Sequence, residues 1–449
     1  MTADLKISTF KHGVHPEEFK YLTDARPIEQ MPFVDEYVLP LGQHIGAPSI
    51  PIVRKGQKVR RGEKIADPGG FVSVALHSPV DGIVKAIELA ETNTGQMVTS
   101  IRIQADPYSS QIFVPHPPTP YEDLSIEEFI RSVQQSGLVG LGGAAFPAHV
   151  KFKIPEGKTC KYIMLNGCEC EPFLTSDHRT MVEKPDDVIH GIRILQHFVK
   201  AEKVFIGIED NKPDAIKVLR EKASSSGLPI EVVSLKVKYP QGAEKMLITA
   251  ILNKEVPSGK LPLDVETLVS NVSSIAALSE WFQTGKPLID RVVTVTGNAI
   301  RQPSNLRVPI GTSMNEVIRY CGGLLTQNIR LLLGGPMMGL VQRSTAIPVV
   351  KGTSGMLFIE EEKIADMDAY SCIRCGRCVD ACPMFLNPSA LGMLAKKALW
   401  EDMEENHVMD CFECGSCSFV CPSHIPLVQS FRVAKGILKK RKASELSKA

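Results

Sequence analysis

Residues 372–383, CIRCGRCVDACP, and residues 411–422, CFECGSCSFVCP, contain the same cysteine pattern. Each run spaces its cysteines as C-x2-C-x2-C-x3-C and places a proline directly after the last one. Three thiolates at this spacing can surround one face of an iron–sulfur cubane, and the fourth cysteine, followed by proline, reaches the neighbouring cluster. The two runs therefore predict two [4Fe–4S] clusters that lie close together and exchange electrons.

The crosswise pattern assigns every cysteine of the two runs to one cluster. The predicted ligands of the first cluster are Cys372, Cys375, Cys378 and Cys421, and those of the second are Cys411, Cys414, Cys417 and Cys382. Two structural zinc sites are the alternative, but zinc usually takes two C-x2-C pairs rather than two four-cysteine runs that each end in proline. The segment from Ser389 to about Glu405 is predicted to be a helix, which suggests an α-helical variant of a two-cluster ferredoxin.

The composition indicates a large globular chain without a bulk charge. It has 449 residues, 43% of them hydrophobic, with 51 Lys and Arg against 50 Asp and Glu. This length predicts two to four domains, and the charge balance argues against nucleic acid as a partner. The N-terminus lacks a secretion signal, and no apolar run approaches the roughly 18–20 residues that span a bilayer. We therefore expect a cytosolic protein whose cysteines hold metal rather than form disulfides.

The chain upstream of the cysteine runs begins with a β-rich part, residues 1–115. Short strands broken by Lys-Gly, Arg-Gly and Asp-Gly turns predict a small β-sandwich, which resembles the barrel-sandwich hybrid of lipoyl and biotinyl domains. Those domains carry a modified lysine at a hairpin tip, where this sequence has Val80-Asp81-Gly82. A swinging-arm role is therefore not expected, and the sandwich is interpreted as structural.

Three further parts and a tail follow a stiff proline-rich linker at residues 114–120. Residues 121–285 alternate strands and helices in a βαβ pattern, which predicts an α/β domain with mainly parallel strands. Residues 290–350 form a small mixed module, and residues 366–432 form the cluster domain. The basic tail, residues 433–449, is interpreted as a solvated helix end; contact with an acidic partner or with lipid headgroups is the alternative.

Two turns of the α/β part carry candidate binding residues. The glycine-rich turn at residues 137–147 leaves backbone N–H groups free to approach a phosphate, although it is not the G-x-G-x-x-G dinucleotide fingerprint. Residues 166–172, NGCECEP, follow a predicted strand, and ligands collect at the carboxyl ends of such strands. Asn166 could bond the isoalloxazine or ribityl edge of a flavin, and Glu171 could accept from nicotinamide-ribose hydroxyls. Cys168 and Cys170 are either turn cysteines or ligands of a further metal.

These motifs resemble those of the NADH-oxidising subunit of respiratory complex I. The stretches similar to its flavin and NADH motifs, in order, are residues 137–152, 166–179, 239–244 and 270–272. Residues 290–345 resemble the β-grasp-like (SLBB) domain that follows in that subunit. Together with KHGVHP at residues 11–16, the sandwich and the doubled cysteine run, essentially the whole chain resembles the C subunit of the Rnf complex. That complex is an ion-translocating ferredoxin:NAD oxidoreductase.

The resemblance implies a multidomain α/β and α+β protein with a Rossmann-like FMN/NADH domain. It implies a non-covalent FMN that exchanges hydride with NAD(H) and single electrons with the clusters, without a catalytic acid or base. Carried over by position, the nucleotide loop comprises Gly140, Gly142, Gly143, Ala144 and Phe146. Lys151 would lie near phosphate or flavin, and the pocket would be lined by Asn166, Glu169, Glu171, Gly242, Glu244 and Asn271. The implied partners are the other Rnf subunits and, indirectly, ferredoxin, at the cytoplasmic face of the membrane without a transmembrane segment.

Four positions depart from the complex I pattern. Leu141 replaces an arginine, Cys168 an acidic residue, Cys170 a serine and Ala243 the first acid of a Gly-Glu-Glu turn, which leaves flavin contacts there open. Two other hypotheses remain. One is a soluble flavin and iron–sulfur cobalamin reductase, whose family lacks the leading His-Gly-Val-His-Pro sandwich in this order. The other is a non-enzymatic electron relay or scaffold with a decayed nucleotide pocket. The sequence leaves open the coupled ion, the direction of electron flow and the cluster potentials.

Overall fold

The computed structural model describes residues 8–361 and 368–446. Parts of three predicted segments, residues 1–7, 366–367 and 447–449, lie outside the described residues. None of the described helices combines the length and the apolar character needed to cross a membrane.

The sandwich packs two small antiparallel sheets around one apolar core. Its strands are β2 (Glu36–Pro40), β3 (Ile50–Pro51), β4 (Lys58–Val59), β5 (Lys64–Asp67), β6 (Leu76–His77), β7 (Gly82–Glu91) and β8 (Met97–Ala105), and β1 (Ile28–Gln30) precedes them. The strand orders are β2-β8-β7-β4 and β3-β5-β6. Alternate side chains of β2 and β8, among them Tyr37, Leu39, Ile101 and Ile103, point inward and are fully buried.

The α/β domain contains a four-stranded parallel sheet with helices on both faces. Its elements are α1 (Ile126–Gln135), α2 (Ala148–Phe152), β9 (Tyr162–Asn166), α3 (Ser176–Glu183), α4 (Pro185–Val199), β10 (Lys203–Glu209), α5 (Pro213–Ser225), β11 (Ile230–Leu235), α6 (Glu244–Leu252), β12 (Thr267–Asn271) and α7 (Val272–Thr284). The strand order is β11-β10-β9-β12, with every pair parallel. The chain builds outward from β9 on one side and then adds β12 on the other. A topological switch point therefore lies at the carboxyl ends of β9 and β12, where ligands bind in such sheets.

The small mixed domain is larger than predicted. Its elements are β13 (Asp290–Thr296), β14 (Ser304–Pro309), α8 (Met314–Tyr320), β15 (Ile329–Leu333), β16 (Leu340–Gln342) and β17 (Gly355–Glu360). The sheet order β1-β14-β13-β17-β15-β16 includes β1, which comes from the segment assigned to the sandwich, and β17, which lies beyond residue 350. Residues 28–30 and the strand beyond residue 350 therefore pair with this domain, because β1 and β17 satisfy backbone groups of β14, β13 and β15.

The C-terminal domain is helical, with elements α9 (Arg377–Asp380), α10 (Pro388–Lys396), α11 (Trp400–Glu405), α12 (Ser416–Phe419) and α13 (Leu427–Leu446). The single helix predicted from Ser389 to Glu405 is wrong: Ala398 adopts a left-handed φ of 56° between α10 and α11. This break lets both helices pack on α13.

The basic tail is not a separate segment, because α13 runs continuously through residue 433. Ala434 and Leu438 are buried in the helical core. Arg441 and Lys442 form ion pairs with Glu401 and Glu404 of α11. The solvated part is therefore only one face of an integral helix.

Candidate functional site

Two asparagines end the central strands at the switch point. Asn166 ends β9 and Asn271 ends β12, and the two residues are register partners. The Asn271 side chain accepts from the N–H groups of Ser273 and Ser274, which caps α7. Asn166 Nδ2 donates to the carbonyl of Gly242 at 2.7 Å, which fixes the turn before α6. The structure therefore brings Asn166, Asn271 and Gly242 to one edge of the sheet.

The glycine-rich turn closes on itself beside the same edge. The N–H of Gly140 donates to the carbonyl of Phe146 at 2.8 Å. The N–H of Leu141 donates to Ser274 Oγ at 2.8 Å, in the first turn of α7. The loop is thus held against the N-terminus of a 13-residue helix, whose dipole favours an anion.

The tip of this loop presents backbone donors to solvent. Gly142, Gly143 and Ala144 are exposed, and in the described part of the chain their N–H groups donate no hydrogen bond. Gly143 has a left-handed φ of 103°, and a Cβ built there would meet open space. Successive free N–H groups on such a turn form a concave anion-binding surface.

Lys151 and Glu244 meet across the mouth of this region. Lys151 lies on α2, directly after the loop, and Glu244 is the first residue of α6. The two side chains form an ion pair and are each about one-third exposed, at 32% and 40%. An exposed pair of this kind is worth little to stability, so either charge is available to a ligand.

Glu169 is placed differently from the predicted pocket lining. Its carboxylate accepts from Ser176 Oγ at 3.0 Å and from the N–H groups of Asp177 and His178, each at 3.1 Å. The side chain is buried and caps the N-terminus of α3. It supports the turn at 166–175 from inside and is not a free acceptor in the pocket.

Glu171 connects the α/β domain to the loop between β15 and β16. Its carboxylate oxygens accept from the N–H groups of Met337 and Met338, at 3.1 and 2.8 Å. A Cβ added to Gly335 would lie 2.2 Å from Glu171 Oε2, so this loop needs glycine there. Burial raises the pKa of Glu171 to about 7, and the two N–H groups oppose that rise. Each of the two oxygens therefore already accepts a backbone N–H from the loop between β15 and β16.

The raised pKa of Glu171 predicts a pH-dependent free energy of unfolding. The unfolded carboxyl ionises near its ordinary value of 4.5, whereas the folded one keeps its proton up to about pH 7. Stability should therefore fall by up to about 3 kcal/mol as the pH rises through this window. Denaturant unfolding of the wild type and of Glu171→Ala at pH 5 and 7.5 measures this. The fall should be smaller in the variant by about 2 kcal/mol, which is the part of the change that lies between pH 5 and pH 7.5, and equal falls would contradict the prediction.

The four positions that depart from the complex I pattern are filled by local packing. Leu141 is buried under the loop, and Ala243 is the N-cap position of α6. Cys168 is buried, and this burial raises the pKa of its thiol. Cys170 Sγ accepts from the N–H of Gly242 at 3.3 Å. In the structure both cysteines pack within the turn.

Sequence reasoning missed residues that support the site from elsewhere in the chain. Lys20 Nζ donates to the carbonyls of Glu169, Glu171 and Leu174, at 2.7, 3.0 and 2.6 Å, and so holds the 166–175 turn from below. Asp177 accepts from Asn271 Nδ2 at 2.6 Å. Burial and the charge of Glu169 raise the pKa of Asp177 to about 6. Lys20 lies in a short 3₁₀ turn far from the site in sequence, and no local pattern could have indicated it.

The sandwich also reaches the glycine-rich loop. The N–H of Ile45 donates to the carbonyl of Ala145 at 3.3 Å. On the same sandwich segment, Gln43 Nε2 and His44 Nδ1 are buried without a partner in the described part of the chain. Buried nitrogens without partners are costly unless another group supplies an acceptor. The free N–H groups at the exposed loop tip, beside the N-terminus of α7, fit a phosphorylated cofactor such as FMN.

The cysteines of the C-terminal domain line two separate cavities. One cavity, called here the distal pocket, is bordered by Cys372, Cys375, Cys378 and Cys421. The other, the proximal pocket, is bordered by Cys382, Cys411, Cys414 and Cys417. The fold therefore gathers the cysteines in the same two sets that the crosswise pattern predicts.

The two cysteine loops share one backbone shape. Arg374 and Glu413 both have left-handed φ values, 56° and 65°, and their N–H groups donate to Cys372 Sγ and Cys411 Sγ, both at 3.4 Å. Burial and neighbouring thiols raise the pKa of Cys411 to about 11, so a bound cation is needed to hold such a group as thiolate. In a cubane each of the four cysteines binds a different iron, whereas a zinc site requires all four sulfurs around a single ion. The thiols spread around each cavity fit the cubane.

The two pockets lie at different depths. In the proximal pocket, the carbonyl of Cys414 accepts from the buried Tyr239 hydroxyl at 2.7 Å, directly against the α/β domain. In the distal pocket, Cys372 and Cys375 are exposed, and the neighbouring Tyr370 and Ile373 are 66% and 67% exposed. The proximal pocket therefore lies next to the switch-point edge, and the distal pocket lies next to the surface.

Four family profiles match successive parts of the chain. They are the RnfC barrel sandwich hybrid domain at 8–108, the Nuo51 FMN-binding domain at 133–280, the SLBB domain at 292–341 and the 4Fe-4S dicluster domain at 368–425. These matches confirm the predicted four-part fold and the predicted cofactors, FMN and two [4Fe–4S] clusters.

A structural comparison agrees with this fold. A chain of the NAD+-reducing [NiFe]-hydrogenase in the H2-reduced state is similar with a TM-score of 0.50 and 17% sequence identity. The match covers 70% of this chain and 65% of that one. At this identity the likeness concerns the fold alone.

Three relatives, each the C subunit of its complex, match over nearly the whole chain. The one from the proton-translocating ferredoxin:NAD(+) oxidoreductase complex of Clostridium ljungdahlii is 42% identical, over 99% of this chain and 96% of its own length. The one from the Na(+)-translocating complex of Acetobacterium woodii is 42% identical, over 96% and 97%. The one from the ion-translocating oxidoreductase complex of Rhodobacter capsulatus is 39% identical, over 98% and 85%. The chain therefore belongs to the family of C subunits of Rnf-type ion-translocating oxidoreductase complexes.

Proposed function

We propose that this chain exchanges electrons between NAD(H), a non-covalent FMN and two [4Fe–4S] clusters, as one subunit of an ion-translocating ferredoxin:NAD oxidoreductase. The observation that carries the proposal is the order in which the nucleotide-type edge and the two cysteine pockets lie within one chain. A nucleotide-type edge contacts a buried four-cysteine pocket, and a second pocket lies between that pocket and the surface.

At the nucleotide end, the residues of this chain would bind and orient the cofactor. The free N–H groups of Gly142, Gly143 and Ala144 bind phosphate, with the N-terminus of α7 behind them. Asn166, through its fixed amide, would position the turn beside the flavin, and Lys151 would neutralise phosphate charge. FMN, when bound, interconverts two-electron hydride transfer and single-electron transfer. No side chain would need to move a proton, because hydride transfer requires no general acid or base.

At the cluster end, the chain excludes water from one pocket and exposes the other. Cys414 and Cys417 are buried, and Val428 and Phe431 of α13 close the proximal pocket. The distal pocket opens at Cys372 and Cys375. Exposed apolar side chains beside it, Tyr370, Ile373 and Met393, form the surface where a ferredoxin-type member of the complex would contact this chain.

The complex, rather than this chain, would move the ion. The relatives named for proton and Na(+) translocation are equally similar to this chain, so its similarity to them does not favour either ion. We place the chain at the cytoplasmic face of the membrane, attached to the other subunits. This placement follows from the need to meet NAD(H) and ferredoxin on the same side.

The test is an anaerobic titration with NADH. The chain is reconstituted with iron, sulfide and FMN, and NADH is expected to bleach both flavin and cluster absorbance. Lys151→Ala should weaken FMN binding about tenfold, since one charge-assisted contact is lost, and leave the iron content unchanged. Lys158→Ala, which breaks the surface pair with Asp264, is the matched control and should behave as wild type.

The outcome also separates this proposal from a scaffold protein with a decayed nucleotide site. In a scaffold, FMN washes off and NADH reduces neither cofactor, although dithionite still reduces the clusters. Bleaching by NADH that requires FMN contradicts the scaffold hypothesis. If Lys151→Ala and Lys158→Ala bind FMN equally, the assignment of Lys151 to the pocket is wrong.

A further inference from the structure

The N-terminal motif KHGVHP, residues 11–16, belongs to neither site and yet lies between them. Val14 pairs with Tyr239 in both directions: the N–H of Val14 donates to the carbonyl of Tyr239 at 2.8 Å, and the N–H of Tyr239 donates back at 2.9 Å. Tyr239 precedes the turn at 240–243, whose Gly242 is fixed by Asn166 at the switch-point edge. One end of the motif is therefore bound to the nucleotide side of the molecule.

The other end of the motif is bound to the cluster domain. The N–H of Gly13 donates to the carbonyl of Ala381 at 3.2 Å, and His12 Nδ1 donates to the carbonyl of Asp380 at 2.6 Å. The His12 ring also meets the edge of Phe385, with ring centroids 4.6 Å apart. Asp380 and Ala381 directly precede Cys382, which borders the proximal pocket. The motif therefore holds the loop that carries one proximal cysteine.

Tyr239 reaches a second cysteine loop of the same pocket. Its hydroxyl donates to the carbonyl of Cys414 at 2.7 Å, and its side chain is only 1% exposed. Val14, Tyr239, Ala381 and Cys414 form one apolar cluster. Both cysteine loops that border the proximal pocket are therefore tied to the α/β domain through the motif and this tyrosine.

The backbone of the motif leaves little freedom for other residues. Gly13 has a φ of 81°, and a Cβ there would lie 2.6 Å from the carbonyl oxygen of Tyr239. His12 also adopts a left-handed φ, of 61°, which costs free energy in a residue with a side chain. Contacts between domains must compensate for this strain.

We infer that His12, Gly13, Val14 and Tyr239 form a clasp that fixes the proximal pocket against the nucleotide edge and tunes the cluster held there. The inference rests on the proposed function for its two cofactors. His12 and Tyr239 are positioning residues: they touch the cysteine loops and not the reacting atoms. Because hydrogen bonds around a cluster influence its potential, the Tyr239 hydroxyl should stabilise the reduced form of the proximal cluster alone.

The experiment uses the full chain with its clusters, reduced chemically and without NADH. His12→Ala removes the bond to Asp380 and should speed amide exchange of Gly13 and Val14 about five- to tenfold, because local opening costs less. His12→Asn retains an amide donor and tolerates a left-handed φ, so it should restore slow exchange. His15→Ala is the matched control, since His15 is exposed and makes no side-chain hydrogen bond or ring contact in the described part of the chain.

Tyr239→Phe supplies an independent readout. A redox titration followed by electron paramagnetic resonance should show a lower midpoint potential for the proximal cluster and an unchanged one for the distal cluster, with full iron content. If both potentials shift equally or neither shifts, or if iron is lost, the positioning role of Tyr239 is overturned. Unchanged amide exchange in His12→Ala overturns the clasp. Neither readout needs FMN or NADH, so failure of the proposed function would be seen separately, in the NADH titration.

Discussion

Cys421→Ala is expected to lower the iron content from about eight to about four per chain by removing the distal cluster alone. Cys421 belongs in sequence to the second run, but its side chain borders the cavity of Cys372, Cys375 and Cys378. A cluster that loses one of four thiolates in an exposed pocket is expected to be lost, whereas the buried proximal pocket keeps all of its own cysteines.

Double variants make this test independent of spectral assignment. Cys421→Ala combined with Cys375→Ala should still retain about four iron atoms, because both changes affect one cluster. Cys421→Ala combined with Cys414→Ala should retain almost none, since each change then affects a different cluster. The opposite result, with loss of all iron in the first pair only, would show that each run binds its own cluster and would refute crosswise ligation.

The cysteine pattern was informative at sequence level because the determinants of each loop lie within one short run. The left-handed turns at Arg374 and Glu413 and the two N–H···S bonds are all local. The same holds for the parallel strands of the α/β domain, since continuous apolar runs such as β10 are buried on both faces.

The acidic turn after β9 shows which contacts local spacing does not predict. Glu169 and Glu171 look alike in a pattern, two acids beside cysteines, and both seemed suited to a pocket. Their partners differ: Glu169 caps α3, which begins only seven residues after it, whereas Glu171 accepts from the distant N–H groups of Met337 and Met338. A contact across about 166 residues leaves no trace in local spacing.

Element boundaries failed for a related reason. Strands β1 and β17 complete a sheet whose other members lie elsewhere in the chain, so no local signal assigns them to it. The helix predicted from Ser389 to Glu405 has neither proline nor glycine at its break, and Ala398 is a good helix former. Packing of α10 and α11 on α13 overrides that propensity.

Gly143→Val is expected to weaken FMN binding about 100-fold while the clusters stay intact. The residue has a φ of 103°, which a β-branched residue adopts only with strain. A Cβ there meets no other atom within 4 Å, so a valine side chain would project into the open space at the loop tip, where Gly142 and Ala144 carry free N–H groups. Losing one or two hydrogen bonds to a charged phosphate, together with this strain, corresponds to about 3 kcal/mol.

Gly157→Val is the matched control, because it separates strain from blocking of the site. Gly157 also has a left-handed φ, of 76°, and a Cβ there also meets open space, but the turn lies between α2 and β9, outside the loop. Flavin fluorescence gives the dissociation constant for each variant, and iron analysis reports the clusters. If both valines weaken FMN binding equally, strain alone is responsible and the loop is not the phosphate site. If only Gly143→Val does so, the free N–H groups bind the cofactor, because both glycines share a left-handed backbone and open space above it.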